Sequence, residues 1–275
     1  LVGSEMCIRD RVNLIEQDRE EEIRPCLGCG VCIDVQLQDG ACARCSGNAV
    51  LGNGDNDYTI PPAQKPKKVI VVGGGVAGVE AARIAAVRGH QVSLYEKADK
   101  IGGQIFYAAA PPHKENMAPL IPYLEHQLEV KHVDVHLNEE ITPEKILELK
   151  PDAVVCATGV VPSTLPIPGF SRTINAKEVL DGKETGEQIV IIGGGSVGCE
   201  TAEYLAEKGK KVTVIEMLDT MAEKMVNVAR TILMGHLKGL GVTLLTSCKC
   251  LEITDSSVAC QDKEGTVHTL SLIHI

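Results

Sequence analysis

Two copies of one glycine pattern, set in register, most constrain what this chain can fold into. The run Val69-Ile70-Val71-Val72 enters a turn with Gly73, Gly75 and Gly78 in G-x-G-x-x-G spacing. An alanine-rich helical pattern follows to Gly89, and then Val92-Ser93-Leu94-Tyr95 ends at Glu96, 18 residues after Gly78. The same unit returns 120 positions on: Gly73 to Gly193, Gly78 to Gly198, Glu80 to Glu200, Gly89 to Gly209 and Glu96 to Glu216. The second copy is entered by Ile189-Val190-Ile191-Ile192 and closes on Val212-Thr213-Val214-Ile215-Glu216.

A β-branched run, a glycine turn, a helix and an acid after the next strand form a dinucleotide-binding fingerprint in its full context. The glycines let backbone approach a pyrophosphate, which sits on the unpaired N–H groups and positive end of the helix. The acid would take the ribose hydroxyls. Two such units predict an α/β chain with two Rossmann-like domains, each a parallel sheet in a three-layer arrangement, and two bound nucleotides. The candidate cofactor-binding residues are Gly73, Gly75, Ala77, Gly78 and Glu96 in the first unit, and Gly193, Gly195, Ser196, Gly198 and Glu216 in the second. Gly103 and Gln104 of the Gly102-Gly103-Gln104 turn join them, with Thr158 and Gly159 at the end of an apolar strand running from Pro151. A turn such as Gly102-Gly103-Gln104 can bring backbone under an isoalloxazine ring.

Of the 11 cysteines, five fall between Cys26 and Cys45. Cys26, Cys29 and Cys32 stand at three-residue spacing, with Gly28 and Gly30 permitting a tight wrap, and Cys45 follows after twelve intervening residues. Three thiolates so spaced, closed by a distant fourth, suit an iron–sulfur cluster. Cys29, Cys32, Cys42 and Cys45 instead make two C-x-x-C knuckles that suit tetrahedral zinc. Spacing alone does not separate the two. Zinc would leave Cys26 idle, and a neighbouring pair of dinucleotide sites would give a cluster electrons to carry; both tilt the reading to iron and sulfur.

A net charge of −10 with scattered Lys and Arg argues against a nucleic-acid partner, which needs a clustered basic face. Lys65, Lys67 and Lys68 do cluster, in a stretch that reads as a hinge. No apolar run approaches the ~20 residues of a membrane span, and the N-terminus has no apolar signal core. The cysteine usage fits metal or redox chemistry in the cytoplasm rather than a disulfide scaffold. A homo-oligomer is compatible with all of this.

The organisation predicted is a leader foreign to the fold at 1–11, an iron–sulfur segment and linker at 12–65, a FAD domain at 66–165, a NAD(H) domain at 166–269 and a foreign tail at 270–275. On this reading the chain is a piece of something longer. Residues 12–25 read as the exposed end of a helix stopped by Pro25, and Pro119 to Leu137 as helical. Cys156 reads as a small core residue, 160–187 as a connector, and Cys248 and Cys250 as structural. His113, His126, His132 and His136 show no metal-ligand spacing and read as surface or satisfied histidines.

Ile23-Arg24-Pro25-Cys26-Leu27-Gly28-Cys29, the two glycine turns, Gly102-Gly103-Gln104 and Ala157-Thr158-Gly159, in this order, resemble the C-terminal half of the 2,4-dienoyl-CoA reductase and NADH:flavin oxidoreductase family, which is old-yellow-enzyme-like, and also trimethylamine dehydrogenase. The resemblance spans about 12–269. It implies an N-terminal (β/α)8 barrel with FMN, a [4Fe–4S] cluster, an FAD domain and an inserted NAD(P)H domain. It also implies electron flow from NADH to FAD to the cluster to FMN, and reduction of an activated C=C bond such as an enoyl- or dienoyl-CoA. On this resemblance the cluster ligands fall on Cys26, Cys29, Cys32 and Cys45. The barrel and the returning FAD segment are not in this sequence. The two-residue gap between Cys29 and Cys32 is closer to trimethylamine dehydrogenase, whereas an intact second glycine motif ending in Glu216 speaks for a real nicotinamide cofactor. A carboxylate there would repel a 2′-phosphate, favouring NADH over NADPH. A thiol–disulfide reductase would need a cysteine pair beside the flavin, and none stands there. A glutamate-synthase-small-subunit-like flavoprotein and a zinc-ribbon nucleotide-sensing module are the alternatives.

Overall fold

The run at 69–72 becomes a strand because β-branched side chains pack well on a pleated surface covered on both faces. In the computed structural model, which describes residues 11–41, 43–49 and 60–272, it is the centre of β1 (Lys68–Val72), with Ile70 and Val71 fully buried. The described residues divide into two compact units, one of residues up to 109 with 114–160, the other of 110–113 with 161–272.

The first unit opens with the cysteine-bearing segment and α1 (Val31–Asp39). After β1 come α2 (Val76–Val87), β2 (Gln91–Tyr95), the short α3 (Ile105–Ala108), α4 (Leu120–Val130), β3 (Asp134–His136), α5 (Pro143–Leu149) and β4 (Ala153–Cys156). The strands form a parallel sheet in the order β3-β2-β1-β4. Strand side chains alternate between faces, so Val69 and Val71 join Val79, Ala82, Leu124 and Leu128 from α2 and α4 on one side. Ile70 and Tyr95 face Ile141 on the other, with Ile146 and Leu149 of α5 packed against them. Three layers result.

In the second unit α6 (Ala176–Leu180) leads to β5 (Gln188–Ile192), α7 (Ser196–Glu207), β6 (Lys211–Ile215), α8 (Asn227–Gly239) and β7 (Thr243–Leu245), and the strands form a parallel sheet ordered β5-β6-β7. One face carries Cys199, Ala202, Leu205, Leu233 and Leu237 of the two helices. An antiparallel meander, β8 (Lys249–Ile253), β9 (Ser257–Gln261) and β10 (Val267–Ser271), contributes Cys250, Val258 and Cys260 to a second cluster with Ile215, Val190 and Ile192. The layer that a helix supplies in the first unit is thus supplied by strands in the second. Among the described residues β5 has no neighbour on its outer side, whereas β1 lies between β2 and β4. No helix among the described residues is long and apolar enough to cross a membrane.

Several expectations are corrected. Residues 12–25 are not one helix: a helical stretch at 11–15 ends before Asp18, whose φ is 54°, and a 3-10 turn follows at Glu20–Glu22. The charged run offers no apolar stripe for a longer helix to bury. The helix within Pro119–Leu137 stops at Val130; His132 turns left-handed at φ 56°, and Asp134–His136 becomes β3 along β2. Cys156 is exposed, not core: among the described residues β4 is an edge strand, and Val154 on the same face is 40% exposed. The connector 160–187 contains α6, nucleated by a capping box in which Asn175 and Glu178 satisfy each other's backbone N–H groups. At the C-terminal end of the described residues, Leu270 faces Val258 in β10, and the Leu272 N–H donates to Ser256 O at 2.6 Å. Residues 1–10 of the expected leader, Cys42, most of the glycine-rich linker (50–59) and 273–275 lie outside the described residues.

Two Gly→Ala changes should have opposite signs. A Cβ at Gly78 would overlap the Gly73 carbonyl oxygen, so Gly78→Ala should cost about 1–3 kcal/mol. A Cβ at Gly235, inside α8, meets nothing within 4 Å, so Gly235→Ala should stabilise by about 0.5–1 kcal/mol. Thermal unfolding of the two variants checks both signs.

Candidate functional site

Each glycine turn is built the same way. Gly73 takes φ 108° and Gly193 φ 107°, a region open to glycine and little else. Gly75 and Gly195 then cap α2 and α7. Gly78 and Gly198 sit one turn into their helices, where any Cβ would overlap the carbonyl oxygen of Gly73 or Gly193, so helix and strand approach as closely as backbone allows.

The two acids hold these turns. Glu96 accepts the Gly74 N–H on Oε2 at 2.5 Å and the Ala98 N–H on Oε1 at 2.8 Å. Glu216 accepts the Gly194 N–H on Oε2 at 2.7 Å and the Leu218 N–H on Oε1 at 2.9 Å. A second loop then closes on each turn. The Gly102 N–H donates to Gly74 O at 2.9 Å and Gly102 bridges Gly75, while the Ala222 N–H donates to Gly194 O at 2.7 Å. Positions 98 and 218, and 102 and 222, obey the same 120-residue offset as the glycines.

The helix starts are left bare. Neither α2 nor α7 has a side chain capping its N-terminus, and a Cβ at Gly75 or Gly195 would meet nothing within 4 Å. By contrast α5 is capped by Thr142 Oγ1 accepting from the Lys145 N–H, and α6 by Asn175. Orphan N–H groups at a helix start need a partner. Open space beside them, with the positive end of the dipole, fits a pyrophosphate at both turns.

The remaining sequence-derived residues gather in the first unit. A Cβ at Gly103 would stand 2.9 Å from the Gly75 Cα, so the Gly102-Gly103-Gln104 turn lies directly against the glycine turn. Gln104 precedes α3 and is exposed. Thr158 and Gly159 follow β4, and the Ala157–Thr158 backbone passes so close to Gly73 that a Cβ there would overlap the Ala157 carbonyl. Ala77 and Ser196 lie in the first turns of α2 and α7.

The cysteine segment wraps as its glycines suggest. Gly28 (φ 64°) and Gly30 (φ 73°) are both left-handed, and Gly30 starts α1, which carries Cys32. The chain returns so that Gly47 packs on Leu27 and the Cys29 Sγ lies 3.7 Å from Ser46 Oγ, bringing Cys45 back beside the Cys26–Cys32 loop. All four thiols are unpaired. A set of four free thiols on one folded-back loop fits an iron–sulfur cluster by donor chemistry.

What sequence reading missed is how this loop is tethered. Arg24, two residues before Cys26, donates to the Gly47 carbonyl, reaches both oxygens of Glu80 on α2 at 3.4 Å, and lies over the Tyr123 ring of α4 at 5.2 Å. Arg83 grips the same Glu80 carboxylate with bonds of 2.9 and 2.8 Å. Burial pushes the Glu80 carboxyl up, but the Arg83 bond and the Arg24 charge outweigh it and hold the group below the ordinary carboxylate range.

A family model described as pyridine nucleotide-disulphide oxidoreductase matches residues 67–274. An NADH oxidase of Thermoanaerobacter brockii is 41% identical over 258 residues, covering 91% of this chain and 40% of that protein. A cinnamate reductase of Clostridium sporogenes is 42% identical over 206 residues, covering 74% of this chain and 31% of that protein. Among solved structures, a 2-naphthoyl-CoA reductase in complex with 2-naphthoyl-CoA aligns with TM-score 0.88 and 34% identity, over 95% of this chain and 40% of that one. The chain therefore spans well under half the length of these relatives.

Because the Glu80 carboxyl is lower in the folded chain than when unfolded, its contribution is complete above the ordinary carboxylate pKa and is lost as pH falls through the lowered value. Glu80→Gln should therefore cost about 1–3 kcal/mol at neutral pH. The difference from the parent chain should shrink on acidification, measured as unfolding midpoints along a pH series; a pH-independent difference would contradict the tether.

Proposed function

The chain belongs to the pyridine nucleotide-disulphide oxidoreductase family, and from that premise we propose that it is the electron-transfer portion of an NADH-dependent flavin and iron–sulfur oxidoreductase. Flavin and pyridine nucleotide binding are properties of this family. The observation that carries the finer reading is the pair of bare helix starts, each beside a glycine turn held by a carboxylate, in the same hydrogen-bonded arrangement twice.

In this proposal FAD lies on the first turn, against Gly73, Gly75, Ala77, Gly78 and Glu96, with Gly103, Gln104, Thr158 and Gly159 around the flavin end. The nicotinamide nucleotide lies on Gly193, Gly195, Ser196, Gly198 and Glu216. The fourth strand supports that assignment: β4 delivers Thr158 and Gly159 to the first turn. Each carboxylate oxygen that accepts one backbone N–H keeps a second lone pair for a ribose hydroxyl. A carboxylate so placed resists a 2′-phosphate, hence NADH over NADPH. Cys26, Cys29, Cys32 and Cys45 hold a [4Fe–4S] cluster, and the Arg24–Glu80 tether keeps that loop against the flavin unit. When bound, a flavin links two-electron nicotinamide chemistry to one-electron carriers. The onward acceptor would be FMN on a barrel outside this chain, and the substrate an activated C=C bond of an enoyl- or dienoyl-thioester kind.

Two measurements test this. Protein prepared anaerobically should contain iron and acid-labile sulfide, and Cys32→Ser should lose both; zinc without sulfide that Cys32→Ser also loses would instead support the zinc-knuckle reading. Glu216→Gln should weaken NADH binding about 10-fold or more, the worth of a hydrogen bond to a charged group, and narrow the preference over NADPH. An unchanged preference in titrations with both nucleotides would remove the role given to Glu216.

A further inference from the structure

Away from the glycine turns, one more group of side chains converges. His113, Glu203 and His236 carry ligating atoms that all lie within 4.8 Å of one another. They come from the segment 110–113, from α7 and from α8, all parts of the second unit. In the sequence they are 90 and 33 positions apart, so no spacing announced them.

Glu203 is only 3% exposed, and its Oε1 meets His236 Nδ1 at 2.7 Å. The imidazoles of His113 and His236 stand 5.0 Å apart between centroids, tilted by 60°. Glu207, one turn further along α7, brings Oε1 to 3.6 Å from His113 Nε2. A buried carboxylate needs a partner, and one imidazole would serve. Here a second imidazole and a second carboxylate are gathered around it.

Two imidazole nitrogens and a carboxylate oxygen, with room for a fourth donor, form a donor set that suits zinc and its neighbours. Around a tetrahedral zinc with bonds of about 2.0–2.1 Å, adjacent ligand atoms stand about 3.4 Å apart. The Glu203–His236 pair must therefore open slightly and His113 draw in. We propose that His113, Glu203 and His236 form a divalent transition-metal site of the zinc class, with Glu207 or water as fourth ligand, joining the segment 110–113 to α7 and α8. Glu203 lies seven residues beyond Ser196, about 10 Å down the helix from the nucleotide turn. The ion is structural and takes no part in electron transfer.

The test compares zinc(II) uptake by the full chain with that of His113→Ala. The His113 side chain is 64% exposed, so its loss leaves the packing in place. Equilibrium dialysis should find one zinc equivalent in the parent chain that the variant binds more weakly, by more than the roughly 10- to 100-fold that loss of an outer partner costs. Zinc should also raise the unfolding midpoint of the parent chain more than that of the variant. Cobalt(II) in the same position should show d–d bands with no thiolate-to-cobalt charge transfer, which sets it apart from the cysteine loop. Glu203→Gln should lose the same equivalent. Equal uptake and equal midpoint shifts in the parent chain and His113→Ala would overturn the site, as would a parent-minus-variant cobalt spectrum carrying thiolate bands.

Discussion

The structure depends on a carboxylate reaching back from the end of one strand to the glycine turn at the end of its neighbour. Strand register puts Tyr95 beside Val72 and Ile215 beside Ile192, so the next residue, Glu96 or Glu216, arrives level with the turn. Its oxygens take the N–H of Gly74 or Gly194 and a second N–H two residues on. Hydrogen bonds to a charged acceptor are worth about 1.5–3 kcal/mol each. The turn is thereby held open, and the N–H groups of the following helix start are left for something else. A side-chain cap would close that opening; among the described helices α5 and α6, both away from the turns, carry one, and α2 and α7 are among those that do not.

Around this shared device the two units diverge. The first covers the second face of its sheet with α5 and sends β4 alongside the glycine turn; the second uses an antiparallel meander for the same layer. The cysteine loop belongs to the first unit through Arg24, which spans the Gly47 carbonyl, Glu80 and Tyr123. Among the described residues Leu27 is the loop's one apolar anchor on the core of that unit, and the ionic and aromatic tether of Arg24 adds to it.

Much of this was legible in the chain because it repeats locally. The glycine spacing, the β-branched runs and the acids identified both turns, and the same offset would have pointed to Ala98 with Leu218 and to Gly102 with Ala222. What was illegible depends on long-range placement. Cys156 looked like core because its strand is apolar, yet the strand lies at a sheet edge. The meander and β3 are short strands defined by their partners rather than by pattern, and α6 hides among prolines, marked only by Asn175 and Glu178. The meeting of Arg24 with Glu80, or of His113 with Glu203 and His236, has no sequence signature, since folding alone makes them neighbours.

Apart from exposed Cys156, the described cysteines fall into two chemical populations. Those of the folded-back loop are exposed or half-buried, whereas Cys199, Cys248, Cys250 and Cys260 are sealed in the second unit. Burial pushes Cys199 up to about 11 and, with the hydrogen bond its S–H shares with neighbouring Cys248, Cys260 up to about 12. At neutral pH about one Cys199 side chain in ten thousand is then a thiolate, the form that attacks disulfides and oxidants. Cys199, within a helix turn of the second glycine turn, is in this way kept from thiolate chemistry at neutral pH, while the loop cysteines and Cys156 stay partly or fully open to solvent.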